Sequence, residues 1–229
     1  MEIIPVIDLR GGLVVRARMG QRDQYRLIET PLSATSDPVD VARGLLSVFP
    51  FRTLYVADLD AIEGTGANQD TLAALRDAFP HLELWLDNGC SELIAAQACL
   101  DGGLNLVLGS EAQTDASLVE SLAKNPRMIL SLDYRGDSFI GPESLLATPD
   151  IWPQRVIVMT LARVGSGAGP DIERLRAIQR MAGGRSIYAA GGVRDAADLL
   201  ALKQAGIAGA LVASSLHDGR LTRADLAHV

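Results

Sequence analysis

The sequence contains only two cysteines, Cys90 and Cys99, among its 229 residues. Two thiols are too few for a secreted disulfide scaffold, and no second cluster of ligands accompanies them to form a zinc site. We therefore expect a cytoplasmic protein in a reducing compartment, without a metal site. The chain also lacks a cleavable leader pattern, and no apolar run approaches the roughly 18 residues that span a membrane. These absences predict a soluble chain that has no membrane partner.

Basic residues are also in deficit, because 21 Lys and Arg stand against 28 Asp and Glu and give a formal net charge of -7. This balance argues against general binding to nucleic acid or anionic membranes. Any phosphate must therefore be held by local groups. Aromatic residues make up 4% of the chain and hydrophobic residues 48%, so most apolar side chains are aliphatic. That composition excludes a disordered chain and is typical of buried parallel strands covered by helices.

Short apolar runs recur along the whole chain, and segments with helical spacing follow them. The clearest helix begins with Asp37 as N-cap and Pro38 at its first position, and it ends before Pro50. No linker interrupts the alternation. The pattern predicts a single α/β domain over residues 1–229, a (β/α)₈ TIM barrel, with a doubly wound open sheet as the alternative. The predicted strands cover residues 3–8, 53–58, 82–86, 104–108, 128–133, 156–160, 186–190 and 208–212.

An internal half-barrel repeat supports the barrel. The segment Ile-Asp-Leu-Arg-Gly at 7–11 matches Leu-Asp-Tyr-Arg-Gly at 132–136. Later positions correspond at an offset of roughly 103 residues, as when Gly89 corresponds to Gly192. The connection after the fifth strand is about half as long as its counterpart after the first.

The active site of such a barrel lies at the carboxyl ends of its strands, so the residues that end the apolar runs are the first candidates. Asp8 and Asp133 end strands that face each other across the barrel, where one carboxyl could donate a proton and the other remove one. The alternative is that each aspartate only caps the following loop. Asp58, Asp87 and Thr160 end other runs.

A second candidate is a phosphate site at the ends of the last two strands. Gly191 and Gly192 allow backbone N–H groups to approach an anion, and a helix N-terminus follows them. Ala213 and Ser214 end the next strand and complete the predicted site. The alternative is an ordinary Gly-Gly turn.

The counterpart in the first half places Asp87 and Gly89 where glycines would be needed, so the carboxylate would repel a phosphate. Gly109 and Ser110, at the end of the fourth strand, still allow a hydroxyl-bearing or water-bridged ligand. Arg16 lies on an alternating stretch, 13–19, which predicts a hairpin over the barrel mouth and a contact with substrate, with a basic surface residue as the alternative.

The remaining polar candidates have simpler interpretations. Asp58 and Asp60 lack a recognisable cation-binding loop, so a solvated or helix-capping role is expected and no metal is assigned. The three histidines, His81, His217 and His228, have no Ser or Cys partner in a nucleophile arrangement, so we expect them at the surface.

The segments 4–16, Ile-Pro-Val-Ile-Asp-Leu-Arg-Gly-Gly-Leu-Val-Val-Arg, and 56–60, Val-Ala-Asp-Leu-Asp, together with 189–193, resemble the ribotide isomerase family of histidine biosynthesis. Its members are phosphoribosylformimino-aminoimidazole-carboxamide ribotide isomerases with a sister cyclase, and they form half-duplicated barrels. The resemblance covers nearly the whole chain. It implies an Amadori rearrangement of an aminoaldose to an aminoketose, with Asp8 and Asp133 as the acid/base pair, Thr160 as a supporting hydroxyl and no cofactor.

The chain departs from the family pattern at four places, one of them Ala213-Ser214, where a glycine and a basic residue are usual in the family. Segment 87–91 reads Asp-Asn-Gly-Cys-Ser where the family has Gly-Gly-Gly-Ile-Arg, so a second phosphate fits poorly. Segment 160–165 keeps Arg163, a candidate for substrate binding, but has lost the family's acidic residues. The loop that in the family covers the substrate with an aromatic residue is the shortened one.

These departures leave three functional hypotheses open. The first is isomerisation of a phosphorylated ribosylamine-like small molecule. The second is a paralogue of the kind associated with methanogens and methylotrophs, acting on a singly phosphorylated substrate in one-carbon coenzyme synthesis. The third is a non-catalytic subunit that binds a phosphorylated ligand. The sequence leaves the oligomeric state open.

Overall fold

Eight parallel strands close into a barrel in the computed structural model, which describes all 229 residues. The first strand closes the ring by pairing with the last, with Ile4 opposite Leu211. This confirms the predicted barrel and excludes the open sheet. Each predicted strand agrees with an observed one to within two residues at either end. In order around the barrel, the strands are β1 (Glu2–Arg10), β4 (Thr53–Asp58), β5 (Glu83–Asp87), β6 (Asn105–Gly109), β7 (Met128–Arg135), β9 (Arg155–Thr160), β10 (Ser186–Ala190) and β11 (Gly209–Val212).

Helices lie between the barrel strands, where the sequence predicts them. The Asp37 side chain accepts hydrogen bonds from the N–H groups of Val39 and Asp40, and Pro38 takes the first helical position, as its fixed φ favours. None of the helices has the length and apolar character that crossing a membrane requires. The helices are α1 (Pro38–Val48), α2 (Leu59–Ile62), α3 (Gln69–Ala78), α4 (Leu93–Asp101), α5 (Ser117–Leu122), α6 (Glu143–Ala147), α7 (Ile172–Met181), α8 (Ala196–Gln204), α9 (Ser214–His217) and α10 (Arg223–Ala227).

Three short strands extend the barrel sheet at its carboxyl end. β2 (Leu13–Arg16) pairs with β1 in antiparallel fashion, and β3 (Arg26–Leu27) pairs with β2. A 3₁₀ turn at Arg22–Gln24 connects β2 and β3. We call residues 17–25 the β2–β3 segment. β8 (Ser138–Ile140) forms the matching hairpin on β7 in the second half.

Two layers of buried apolar side chains follow from the alternation of each strand. The larger layer packs between the barrel and its helices, whereas the smaller one fills the barrel interior and includes Ile4, Trp85 and Ile129. An aspartate follows each of these interior side chains on the same face of its strand. It lies four positions after Ile4 on β1, two after Trp85 on β5 and four after Ile129 on β7. The alternation therefore directs Asp8, Asp87 and Asp133 to the interior at the carboxyl end of the barrel.

His217 is not at the surface, so that expectation was wrong for this histidine. Its side chain in α9 is only 3% exposed, and its Nε2 atom lies 2.9 Å from the carbonyl oxygen of Val6. Burial lowers its pKa. The short helix turns inward after the last strand, which sequence spacing does not reveal. His81 and His228 are exposed, as expected.

Candidate active site

A cavity opens at the carboxyl end of the barrel and encloses about 1090 Å³ of space, including the part open to solvent. Strand ends and loops from both halves of the chain contribute to its walls, as the fold requires. Glycines and arginines line the side formed by the second half, and carboxylates gather towards the first. Eight of the predicted site residues line it: Asp8, Asp87, Asp133, Arg163, Gly191, Gly192, Ala213 and Ser214.

Asp8 stands at the cavity wall with no hydrogen bond from its side chain to any protein group. Burial, and secondarily the negative charge of Asp87, raise its pKa to about 7, while the Arg22 guanidinium opposes this rise. A carboxyl with this pKa is divided between its acid and base forms near neutral pH. Its oxygen atoms are free to contact a ligand in the cavity.

Asp133, in contrast, has three polar groups within hydrogen-bond distance of its carboxyl. Its Oδ1 accepts from the Ser131 hydroxyl at 2.6 Å, and its Oδ2 lies 3.1 Å from Ser110 Oγ and 3.2 Å from the Glu111 nitrogen. The side chain is 5% exposed, and burial raises its pKa to about 7.

The surroundings of Ser110 favour the protonated form of Asp133. Ser110 Oγ lies 2.6 Å from the Ile140 carbonyl oxygen, which can only accept, and the hydroxyl has one proton to give. When that proton goes to Ile140, the contact between Ser110 Oγ and Asp133 is satisfied by a proton on the carboxyl. The contact with Ser110 thus favours a protonated Asp133, whereas the Ser131 hydroxyl and the Glu111 amide favour its ionised form.

Asp87 uses its side chain to bind its own neighbourhood. Its Oδ2 accepts from the Tyr55 hydroxyl at 2.8 Å, and its Oδ1 accepts from the Gly89 nitrogen at 3.3 Å. Burial raises its pKa and outweighs these hydrogen bonds, which lower it. The backbone amide of Gly89 is therefore already bound by a carboxylate of the protein.

The predicted phosphate site differs because its amides are free. The N–H groups of Gly191, Gly192, Ala213 and Ser214 donate to no protein acceptor, and all four residues line the cavity. Both glycines have positive φ, 102° and 91°, and a Cβ on Gly192 would lie 2.2 Å from the Gly169 carbonyl oxygen. Only glycine fits this backbone, which presents unpaired donors to an anion.

The other predicted site residues lie outside the cavity lining. Thr160 alternates with Met159, and it is Met159 that lines the cavity. Asp58 caps α2 through the Ala61 nitrogen and binds Asn68, as the helix-capping interpretation predicted. Arg16 is held by Asp218 at 2.7 Å, away from the cavity.

Gly89, Gly109 and Ser110 also lie behind the cavity wall. A Cβ on Gly109 would be 3.3 Å from Asp133 Oδ2, so this glycine leaves room for that carboxylate. Ser110 is fully buried against the same oxygen. These residues support Asp133 and Asp87 through contacts rather than by lining the cavity.

Sequence reasoning missed several polar lining residues, among them Arg22, Tyr25, Tyr55 and Glu111. Tyr55 shares the interior face of β4 with Ala57, so the alternation of that strand could have found it. Arg22 and Tyr25 reach the cavity from the β2–β3 segment, and Glu111 follows β6. No local pattern predicts that these loops meet, because their contact depends on tertiary packing.

Comparisons with known proteins agree with this geometry. A family model described as Histidine biosynthesis protein matches residues 2–222. An uncharacterized protein of Methanocaldococcus jannaschii is 25% identical over 224 residues, which is 96% of this chain and 95% of that protein. A 1-(5-phosphoribosyl)-5-((5-phosphoribosylamino)methylideneamino) imidazole-4-carboxamide isomerase of Halorhodospira halophila is 30% identical over 96% of this chain and 94% of its own. An isomerase of the same name from Lactiplantibacillus plantarum is also 30% identical, over 99% and 98%.

Proposed function

Since this chain belongs to the histidine biosynthesis protein family, we propose that it catalyses acid/base isomerisation of a phosphorylated ribosylamine from its aldose to its ketose form. The observation that carries the proposal is the pair of interior carboxyls, Asp8 and Asp133, each with a pKa of about 7. They line one cavity together with a group of unpaired backbone amides.

The reaction needs one proton donor and one proton acceptor. Protonation of the ring oxygen breaks its bond to C1 and opens the sugar to an iminium ion. Removal of the proton on C2 then gives a neutral enaminol. Protonation of C1 together with loss of the proton from the C2 hydroxyl forms the aminoketose. Carbon C2 is oxidised while C1 is reduced, so electrons balance within the substrate and no external oxidant is required.

Asp133 serves as the acid and Asp8 as the base. The contact with Ser110, whose proton is directed to Ile140, favours the protonated form of Asp133. Asp8 has no donor of its own, so its free oxygens can take a proton from substrate carbon. A supporting role for the Thr160 hydroxyl remains a prediction.

The phosphate accepts hydrogen bonds from four backbone amides that have no acceptor within the protein, those of Gly191, Gly192, Ala213 and Ser214. Arg163 and Arg194 also line the cavity here. Each is engaged by protein acceptors, the Gly169 carbonyl oxygen and Asp198, so the amides carry the binding.

A second candidate is a paralogue that acts on a singly phosphorylated substrate. It is favoured by the first-half amides, because Gly89 N–H is bound by Asp87 and Glu111 N–H by Asp133. The isomerases named above have two phosphoribosyl groups in the name of their substrate. The unpaired amides of Gly191, Gly192, Ala213 and Ser214 line the cavity at a single place, which suits one phosphate.

The test is to incubate purified protein with the bis-phosphorylated ribotide and, separately, with a ribosylamine that has one phosphate, and to follow ketose formation by mass spectrometry and NMR. Asp8→Asn and Asp133→Asn are the controls and should abolish turnover without unfolding the chain. Turnover of the singly phosphorylated compound alone supports the paralogue. Phosphate binding with no turnover of either compound favours the non-catalytic ligand-binding subunit and contradicts the proposal.

A further inference from the structure

Arg22 is the one basic residue on the carboxylate side of the cavity. It lies on the 3₁₀ turn of the β2–β3 segment and lines the cavity with Asp8, Asp87, Glu111 and Asp133. The other lining arginines lie on or after the second-half strands. The charge balance among the carboxylates therefore depends on this one guanidinium.

The position of Arg22 is fixed from two sides. Its guanidinium pairs with the Glu111 carboxylate, and its backbone oxygen accepts from Arg10 Nη1 at 2.7 Å. The side chains of Arg22 and Glu111 are 31% and 25% exposed, so water only partly screens their interaction. A hydrogen bond of 2.8 Å from the Met19 nitrogen to the Val164 carbonyl oxygen also fastens the β2–β3 segment. The segment crosses the mouth in a defined position.

The groups around Asp8 explain why Arg22 acts on this carboxyl. Asp87 on β5 opposes its ionisation, whereas Arg22 favours it. Two neutral phenols, Tyr25 on the β2–β3 segment and Tyr55 on β4, complete the titratable surroundings. No hydrogen-bond donor of the protein stabilises a charged Asp8. Arg22 is therefore its source of favourable charge.

Asp133 has different charged neighbours. Asp87 and Glu111 both oppose its ionisation, and it receives hydrogen bonds from Ser131 and from the Glu111 backbone. The ion pair between Arg22 and Glu111 thus places a positive group near Asp8 and a negative group near Asp133. Its two ends favour opposite charge states of the two carboxyls.

We infer that Arg22, the one guanidinium among the carboxylates of this wall, is a positioning residue that favours the ionised form of Asp8, while the carboxylate of its ion-pair partner Glu111 favours the protonated form of Asp133. This inference rests on the proposed function for its catalytic meaning, since it assigns the ion pair that biases Asp8 towards the base form and Asp133 towards the acid form. The electrostatic arrangement itself exists in the free protein and can be measured without a substrate.

The experiment is an NMR titration of protein labelled with ¹³C-aspartate, with the Asp8 and Asp133 carboxyl signals assigned from spectra of Asp8→Asn and Asp133→Asn. In Arg22→Met, the titration midpoint of Asp8 should rise by about 0.5 to 1 pH unit. Arg22→Lys retains the charge and should stay near the parent value. In Glu111→Gln, the midpoint of Asp133 should fall by a similar amount, and that of Asp8 should not rise.

Arg22→Met and Glu111→Gln break the same ion pair, so they form a matched comparison. If the pair only fastened the β2–β3 segment, both variants would move the two aspartates in the same direction. That result, or an unchanged Asp8 midpoint in Arg22→Met, overturns the inference. Thermal unfolding of each variant checks that it is folded.

An activity measurement separates this inference from the proposed function. With the bis-phosphorylated ribotide as probe, the acid limb of kcat/KM for Arg22→Met should move to higher pH with the Asp8 midpoint. If the parent protein has no turnover while the NMR midpoints move as described, the proposed function fails and the electrostatic role of Arg22 stands. If turnover is present and the midpoints do not move, the role of Arg22 fails alone.

Discussion

The two halves of the barrel offer corresponding backbone positions to a ligand and use them differently. In the second half, the amides of Gly192 and Ala213 are unpaired at the cavity wall. In the first half, the amide of Gly89 is bound by Asp87, and the loop after Gly109 gives the amide of Glu111 to Asp133. A protein carboxylate thus takes the place of an external anion at the first-half positions.

This difference shows how one repeated unit can acquire two roles. Backbone amides bind an anion whether it comes from a ligand or from a side chain. Where the repeat retains glycine and small residues, the donors remain available to phosphate. Where it has an aspartate, the same donors help to hold a carboxylate whose burial raises its pKa. The free amides of the second half and the occupied amides of the first half follow from a few side chains near these positions.

The strongest way to break the comparison is to remove the reacting carboxyls. Asp8→Asn and Asp133→Asn should each lower kcat on the isomerised substrate by about 10²–10⁴-fold, because proton transfer loses its acid or base. Steady-state kinetics measures the loss. Phosphate binding by either variant should persist, since the amides near Gly192 and Ala213 that bind it form no hydrogen bond with either carboxyl. Loss of phosphate binding in both variants would contradict the separation of roles.

The glycines at equivalent positions provide a matched pair for the binding half. Gly192→Ala and Gly89→Ala each force a Cβ onto positive φ, with the nearest backbone atoms at 2.2 Å and 2.9 Å. Both should lower the free energy of unfolding by about 1–3 kcal/mol. Only Gly192→Ala should also abolish the stabilisation by ribose 5-phosphate in thermal unfolding. Equal loss of that stabilisation in Gly89→Ala would mean that the halves bind phosphate alike.

The raised pKa of Asp8 gives a smaller effect on stability. The pKa of Asp8 is about 4 in the unfolded chain and about 7 in the folded protein. Between these two values the unfolded chain has released the proton while the folded protein still holds it. The free energy of unfolding therefore falls as pH rises through this range. At about pH 8, Asp8→Asn should therefore be more stable than the parent by about 1–2 kcal/mol, discounted for the partial exposure of the side chain to the cavity. Near pH 4 the difference should vanish. Urea unfolding at both pH values measures this difference in stability. If Asp8→Asn were less stable than the parent at pH 8, ionisation of Asp8 would not destabilise the folded protein.

The smallest expected effect comes from neutralising Asp87. Asp87→Asn removes the charge that repels a second phosphate and should improve the affinity for a bis-phosphorylated ligand by a few fold, or about 0.5–1 kcal/mol. Affinity for a singly phosphorylated ligand should change less. Calorimetric titration with both compounds gives the ratio, and an unchanged ratio would show that charge at Asp87 does not decide the number of phosphates bound.

The barrel and most of its site could be predicted because their signals are local. The eight runs, the half-barrel repeat and the carboxyl-end rule led to Asp8, Asp87 and Asp133 on the interior and to the unpaired amides near Gly192. Strand alternation also separates Met159, which lines the cavity, from Thr160, which does not. That distinction was available in the sequence.

The remaining features depend on contacts between distant segments. Arg16 was expected to contact substrate, but it pairs with Asp218 of a different loop and is not among the residues that line the cavity. The loop after the fifth strand, which the sequence showed to be shortened, contributes no residue to the cavity lining, whereas Tyr25 of the β2–β3 segment brings an aromatic ring there. The burial of His217 likewise depends on the direction in which α9 leaves β11. Spacing within one segment does not encode such contacts.

The account is tested most directly by ³¹P NMR of the bis-phosphorylated ribotide in the presence of the protein. The two phosphates are observed separately, and the isomerisation conserves both. If phosphate binds only to the second-half amides, one phosphorus signal should shift and should no longer titrate with pH as it does in solution. The other signal should keep its chemical shift and its titration. Perturbation of both signals would show that the first half also binds phosphate, and would contradict the division between the two halves.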